Sequence, residues 1–187
     1  LFKDIPRDEL DTVSAMLKSG FNSPLCSSMG RLFDAAAFFC GGPAIVSYEG
    51  QAAMEFEVLA NAGANAGVSL PPFSFSEANG FITVSPGALI AALLNLRESS
   101  DFDCCGAAYA FHKTCAQMAA RVLSAAAERA RTRDIVLSGG VFQNRLLLTL
   151  TEGLLLGCGF SVYFNEQVPS NDGGISLGQA YLARLRK

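Results

Sequence analysis

From residue 134 onward the chain reads strand, helix, strand, helix, and no other feature limits its folding as much. The apolar run Ile135-Val136-Leu137, in a strand at 134–137, breaks into Ser138-Gly139-Gly140, and a helical pattern follows over 141–156. A second short strand at 160–164, a loop at 165–174 and a last helix from Ile175 complete the series. Two strands joined through a helix in this order form a right-handed parallel unit. Both following loops then leave the carboxyl ends of parallel strands, where ligands bind in open α/β sheets.

Upstream, helical patterns predominate. Pro6 and acidic residues open a first helix that stops at Gly20, and Ser27 or Ser28 caps a second that stops at Gly41-Gly42. A third lies in 48–63, with Met54, Phe56 and Leu59 expected on roughly one side. The texture then alternates about Asn79-Gly80, a strong hairpin signal. Pro71 and Pro72 put the first strand of that hairpin on an edge. Ser85-Pro86 starts another helix. From Asp103 to about Arg133 runs an alanine-rich pattern, apolar over much of its circumference and therefore expected at the centre. This divides the chain into a helical segment, about 1–66, and a hairpin plus α/β lobe, 67–187.

Composition excludes several function classes. With 187 residues, half of them hydrophobic, the chain can bury a proper core. A net charge of −3 and scattered Lys and Arg give no field that would attract nucleic acid or an anionic membrane. No apolar run reaches membrane-spanning length. The six cysteines lack metal-ligand spacing and read as small buried hydrophobes in a reducing cytoplasm. The first residue is Leu1 rather than Met, so a piece of something longer is expected.

The glycines of the two loops let a ligand approach the backbone, and each loop leads into a helix N-terminus that favours anions. Asn144, about one turn into its expected helix, is placed to turn its amide toward the same mouth. A tight turn with capping residues explains either loop alone; two converging on one rim favour a binding site. Asp172 precedes Gly173-Gly174 and reads either as a hard metal ligand or as an ordinary N-cap. On spacing alone the cap is favoured. The familiar phosphate fingerprints are missing from the sequence. His112 sits mid-helix among apolar neighbours and reads as a core or interface histidine rather than a base. Glu49 and Glu55 read as a helix-start carboxylate and part of a solvated face.

Four motifs nonetheless carry a resemblance: "SSMGRLFDA", "SYEGQAAMEFE", "LSGGVFQNRLLL" and "VPSNDGGISLGQA", with "AFHKT" between them. In order and spacing they resemble the C-terminal carbamoyltransferase region of the HypF family of hydrogenase maturation factors. That likeness implies one lobe of an actin- and sugar-kinase-like, two-lobed nucleotide-binding α/β fold, with added helices and a β-hairpin. It implies ATP and carbamoyl phosphate as sources of carbamoyl-adenylate, and transfer of the carbamoyl group to the C-terminal cysteine of HypE for cyanide ligand synthesis. By the same resemblance Asp34, Gly50, Gln51 and Glu55 contact the ribose or adenine side, and Gly139, Gly140 and Asn144 hold the nucleotide. Asp172 becomes one ligand of a divalent metal whose two histidine ligands have no counterpart here, so the chain alone is expected to be catalytically incomplete. An O-carbamoyltransferase of antibiotic biosynthesis, a sugar kinase of the same superfamily and a non-catalytic assembly module stand as alternatives.

Overall fold

The computed structural model describes residues 5–185. Helices α1 (Arg7–Ser19), α2 (Met29–Phe39) and α3 (Gln51–Ala62) come first, then a hairpin of β1 (Ser74–Ala78) and β2 (Phe81–Ser85). Next are α4 (Gly87–Arg97), α5 (Cys104–Ala130), β3 (Asp134–Leu137), α6 (Arg145–Gly157), β4 (Ser161–Phe164) and α7 (Ile175–Leu185). Short 3₁₀ turns occupy Gly140–Gln143 and Asp172–Gly174. Among the described residues no helix is long and apolar enough to cross a membrane.

Local chemistry accounts for most boundaries. Gly20 ends α1 in the left-handed conformation. Ser28 caps α2 by accepting the Arg31 N–H, and Asp103 caps α5 by accepting the Gly106 N–H at 2.9 Å. Asn79 and Gly80, both at positive φ, make the tight hairpin turn. Helix α5 stops three residues short of the expected Arg133, because Arg131 turns left-handed and Thr132 N–H bonds back to the Ala127 carbonyl.

Helix α5 runs through two cores. In the first, Ala107, Ala110, Phe111, Cys115 and Ala116 pack with Phe33 of α2, Phe56 of α3, and Leu89 and Leu93 of α4. This core therefore draws on elements from both sides of residue 66. In the second, Ala120 and Ala127 meet Ile135 and Leu137 of β3, Leu148 and Leu155 of α6, and Phe160. The hairpin docks on α5 through the Arg121 guanidinium, 4.0 Å from the Phe75 ring centroid, and an ion pair between Arg129 and Glu77.

The face of α3 differs from expectation. Ala52, Phe56 and Ala60 are buried, whereas Met54 is half exposed and Leu59 only partly covered. Small residues flank Phe56 on the buried line, and α3 and α5 approach closely at the end of α3. A Cβ added to Gly63 would land on the backbone of Cys105 and Gly106, and one on Gly106 would strike Asp103, Val68 and Ala66.

Strands β3 and β4 pair in parallel, Asp134 opposite Ser161 through Leu137 opposite Phe164. One face of this sheet lies on α5 and α6. The other, with Val136 and Tyr163, is open, at 69% and 55% exposure. Helix α7 buries none of its residues, and its Ile175, Tyr181, Leu182 and Leu185 are exposed.

Two glycine substitutions test the packing. Gly63→Ala should destabilise by about 1–3 kcal/mol or more, since its Cβ meets backbone that cannot move aside. Gly153→Ala, in the open middle of α6, should stabilise by roughly 0.5–1 kcal/mol. Denaturant midpoints would check both signs.

Candidate functional site

The two loops beyond β3 and β4 form one rim. Ser138 Oγ–H donates to Asn165 Oδ1 at 3.0 Å, and the Gly139 N–H donates to the Ser170 carbonyl at 3.0 Å. Gly139 sits at φ +105°, a conformation only glycine adopts readily, and so turns the chain out of the strand. A Cβ on Gly140 would only reach ordinary contact with Asn171, 3.8 Å away. The expected convergence of the loops is present.

The role expected of α6 is corrected. The helix begins at Arg145, because Asn144 is extended and breaks the chain between the 3₁₀ turn and α6. Asn144 is thus the N-cap, its Oδ1 accepting the Leu147 N–H at 2.8 Å. The Leu146 N–H donates to Glu57 Oε1, 2.9 Å away on α3. Two of the first-turn donors expected to grip an anion, the Leu146 and Leu147 N–H groups, are therefore met by the chain's own carboxylate and amide. Backbone donors for a ligand belong instead to the 3₁₀ turn that carries Gly140.

Behind Asn144 lies His112, fully buried on α5. Its Nδ1 is 2.8 Å from the Ala108 carbonyl and its Nε2 is 2.9 Å from Asn144 Nδ2. Phe33, Phe56 and Phe111 wall the ring, with centroids 5.1, 4.9 and 6.2 Å away. Burial among them pushes the imidazole pKa down to about 4, against a weaker upward pull from the Ala108 carbonyl. His112 is held neutral, as a core histidine.

Of the remaining site residues, Gly50, Gln51 and Glu55 lie at the start of α3 and Asp34 lies midway along α2. Gly50 caps α3 in the left-handed region, at φ +81°. Gln51 is held at both ends of its amide: Oε1 accepts the Ser47 N–H at 2.7 Å and Nε2 donates to Glu55 Oε1 at 2.8 Å. Asp34 is 3.5 Å from the Arg31 guanidinium, an open pair of little energetic weight. Helix α2 packs against the 3₁₀ turn at Gly140 as well as against α3, which brings the helix of Asp34 to the rim.

Asp172 is not the cap. Asn171 is, accepting the Gly173 N–H on its Oδ1 at 3.0 Å. The Asp172 carboxylate is exposed and has no hydrogen-bond or ion-pair partner among the described residues. Among those residues no three His, Cys, Asp or Glu side chains stand together to hold a metal, and both ring nitrogens of His112 are bonded elsewhere. One carboxylate does not make a metal centre, so this chain's own donors do not fit a complete one.

Comparison with known proteins decides the family. A profile described as carbamoyltransferase, Kae1-like domain, second subdomain, matches residues 2–179. The chain belongs to the HypF carbamoyltransferase family. It is 38% identical over 187 residues to carbamoyltransferase HypF of Rhodobacter capsulatus, covering all of this chain and 23% of that protein. HypF of Rhizobium leguminosarum bv. viciae is 36% identical over 92% of the chain and 21% of its own length. Full-length HypF, solved in a phosphate- and nucleotide-bound form, superposes with a TM-score of 0.86 at 32% identity, over 97% of this chain and 23% of that one. HypF from T. kodakarensis gives 0.78 at 26% identity, over 96% and 22%. The chain thus spans under a quarter of the length of each of these four proteins.

The six cysteines of this chain are free thiols. Burial pushes the Cys40 thiol up to about 12 and Cys115 higher still, so neither is a nucleophile at neutral pH. Sequence reading missed Glu57 and the His112–Asn144 link. Asn144 carried a signal, since an Asn directly before an apolar run is a cap pattern. Glu57 carried none, because its partner lies 89 residues away.

Two measurements follow. Asn171→Ala should cost about 1 kcal/mol of stability, whereas Asp172→Asn should change it by less than about 0.5 kcal/mol; thermal melts separate them. His112 binds its proton more weakly folded than unfolded, so it removes stability as pH falls from about 6.5 to about 4. The loss should reach roughly 3 kcal/mol, and the difference between parent and His112→Gln, read as stability against pH, isolates it.

Proposed function

We propose that this chain forms the nucleotide-holding part of a carbamoyltransferase that serves [NiFe]-hydrogenase maturation. In this reading the complete protein makes carbamoyl-adenylate from carbamoyl phosphate and ATP. It then passes the carbamoyl group to the C-terminal cysteine of HypE in the cytoplasm. The cysteine thiolate forms a bond to the carbamoyl carbon, the bond from that carbon to the adenylate oxygen breaks, and AMP departs with the electron pair. Gly139 and Gly140 give the backbone access to phosphate, Asn144 contributes its amide, and Asp34, Gly50, Gln51 and Glu55 take the ribose or adenine side. Asp172 contributes one ligand to a divalent cation, and residues outside this chain contribute the others. The acceptor thiol belongs to the partner, in keeping with the high pKa of buried Cys40 and Cys115.

One observation carries the proposal. The Gly139–Ser170 hydrogen bond ties two glycine loops into one rim, and the relative solved with nucleotide and phosphate superposes on this chain over nearly all its length. The open sheet face at Val136 and Tyr163 and the apolar sides of α1 and α7 are then surfaces that the rest of the protein covers, as parallel sheets require.

Gly140→Val tests the reading. Its Cβ meets only ordinary contact from Asn171 and the position has no positive φ, so the variant should fold. In the complete protein it should abolish adenine-nucleotide binding by calorimetry, because its branches fill the approach to the backbone. Undiminished binding would refute the assignment of this rim.

A further inference from the structure

We infer that His112 is a positioning residue for the rim: it dictates which end of the Asn144 amide faces outward. The inference rests on the nucleotide reading above and adds a residue that touches no ligand.

A carbonyl oxygen can only accept, so the 2.8 Å contact with Ala108 requires that Nδ1 carry the ring proton. In the neutral ring Nε2 is then a bare lone pair, and Asn144 Nδ2 must donate to it across 2.9 Å. The other end of the amide, Oδ1, accepts from Leu147 N–H. Flipping the amide would set oxygen against lone pair at His112 and NH₂ against N–H at Leu147, turning two hydrogen bonds into two repulsions. The ring itself cannot swing away, since Phe33, Phe56 and Phe111 close round it.

His112 differs here from Thr151, another buried polar side chain, whose hydroxyl bonds within its own helix at 2.7 Å. His112 reaches from α5 across to the cap of α6. Asn144 in turn donates its backbone N–H to the Val141 carbonyl at 3.1 Å, closing the turn that carries Gly140. The part-exposed Asn144 is left with one amide N–H to offer. What it recognises is therefore an acceptor, of the class of a phosphate or ribose oxygen.

Two conservative variants separate positioning from packing. In His112→Gln the Oε1 stands four bonds from Cα, as Nε2 does, and can accept from Asn144. In His112→Asn the amide reaches only as far as Nδ1, toward Ala108. ADP affinity in the complete natural protein, by calorimetry, should stay within about twofold of the parent for Gln. It should fall about three- to tenfold for Asn, the range of one neutral hydrogen bond. An Asn variant that binds like the parent, or a Gln variant as weak as Asn, overturns the inference.

Should the Asn variant fail to fold, histidine ring ¹⁵N spectra of the parent decide. His112 must appear as the Nδ1–H tautomer, with an Nε2 resonance that moves in Asn144→Ala; an Nε2–H tautomer overturns the inference. Parent-like ADP affinity in Asn144→Ala would sink the nucleotide role of Asn144 while leaving the tautomer result intact. A weakened Asn144→Ala beside an unaffected His112→Asn would sink the positioning role alone.

Discussion

A helix can serve two cores only if small side chains let its neighbours close in on several sides, and α5 meets that condition. Ala107, Ala110 and Ala116 admit α3 and α4 near its start, and Ala120 and Ala127 admit β3 and α6 further on. Where the end of α3 meets α5 only glycine fits at position 63, and the segment that follows α3 leaves room only for glycine at position 106.

This packing places the site's parts. Helix α5 carries His112, α3 carries Phe56 and Glu57 in succession, and α6 begins with the residues these hold. The start of α6 is thus clamped from two neighbouring helices by side-chain hydrogen bonds of 2.9 Å each. With its Leu146 and Leu147 N–H groups already satisfied, α6 serves as an anchor for the 3₁₀ turn ahead of it. The glycine-rich backbone at 139–140, rather than a helix dipole, is the part left open to a ligand. The neutral imidazole fits this arrangement, for a protonated ring would face the NH₂ of Asn144 with a second donor.

Local chemistry made much of this legible in the sequence. Asn79-Gly80, Ser28, Gly20 and Asp103 act through neighbours within a few residues, and the elements they bound appear where the pattern predicts. The β3 boundaries and the convergence of the loops followed from strand–helix–strand order alone. What escaped depends on distant partners. The break at Asn144 is held by Glu57 and His112, 89 and 32 residues away, and a helical pattern over 141–156 contains no trace of either. The buried line of α3 likewise went to Ala52 and Ala60 instead of Met54 and Leu59, because the width of the α3–α5 gap is a tertiary property. At Asp172 the ambiguity was chemical, since Asn171 and Asp172 are adjacent cap formers, and the structure gives the cap to Asn171.

Hydrogen exchange in the complete protein, with and without adenine nucleotide, tests the central claim most directly. If the two tied loops are the nucleotide rim, added nucleotide should slow exchange in peptides spanning 138–144 and 169–174. The middle of α5, already buried, should change little. Saturating nucleotide that leaves both loops exchanging at the free rate, while protecting some other part of the protein, would contradict the account.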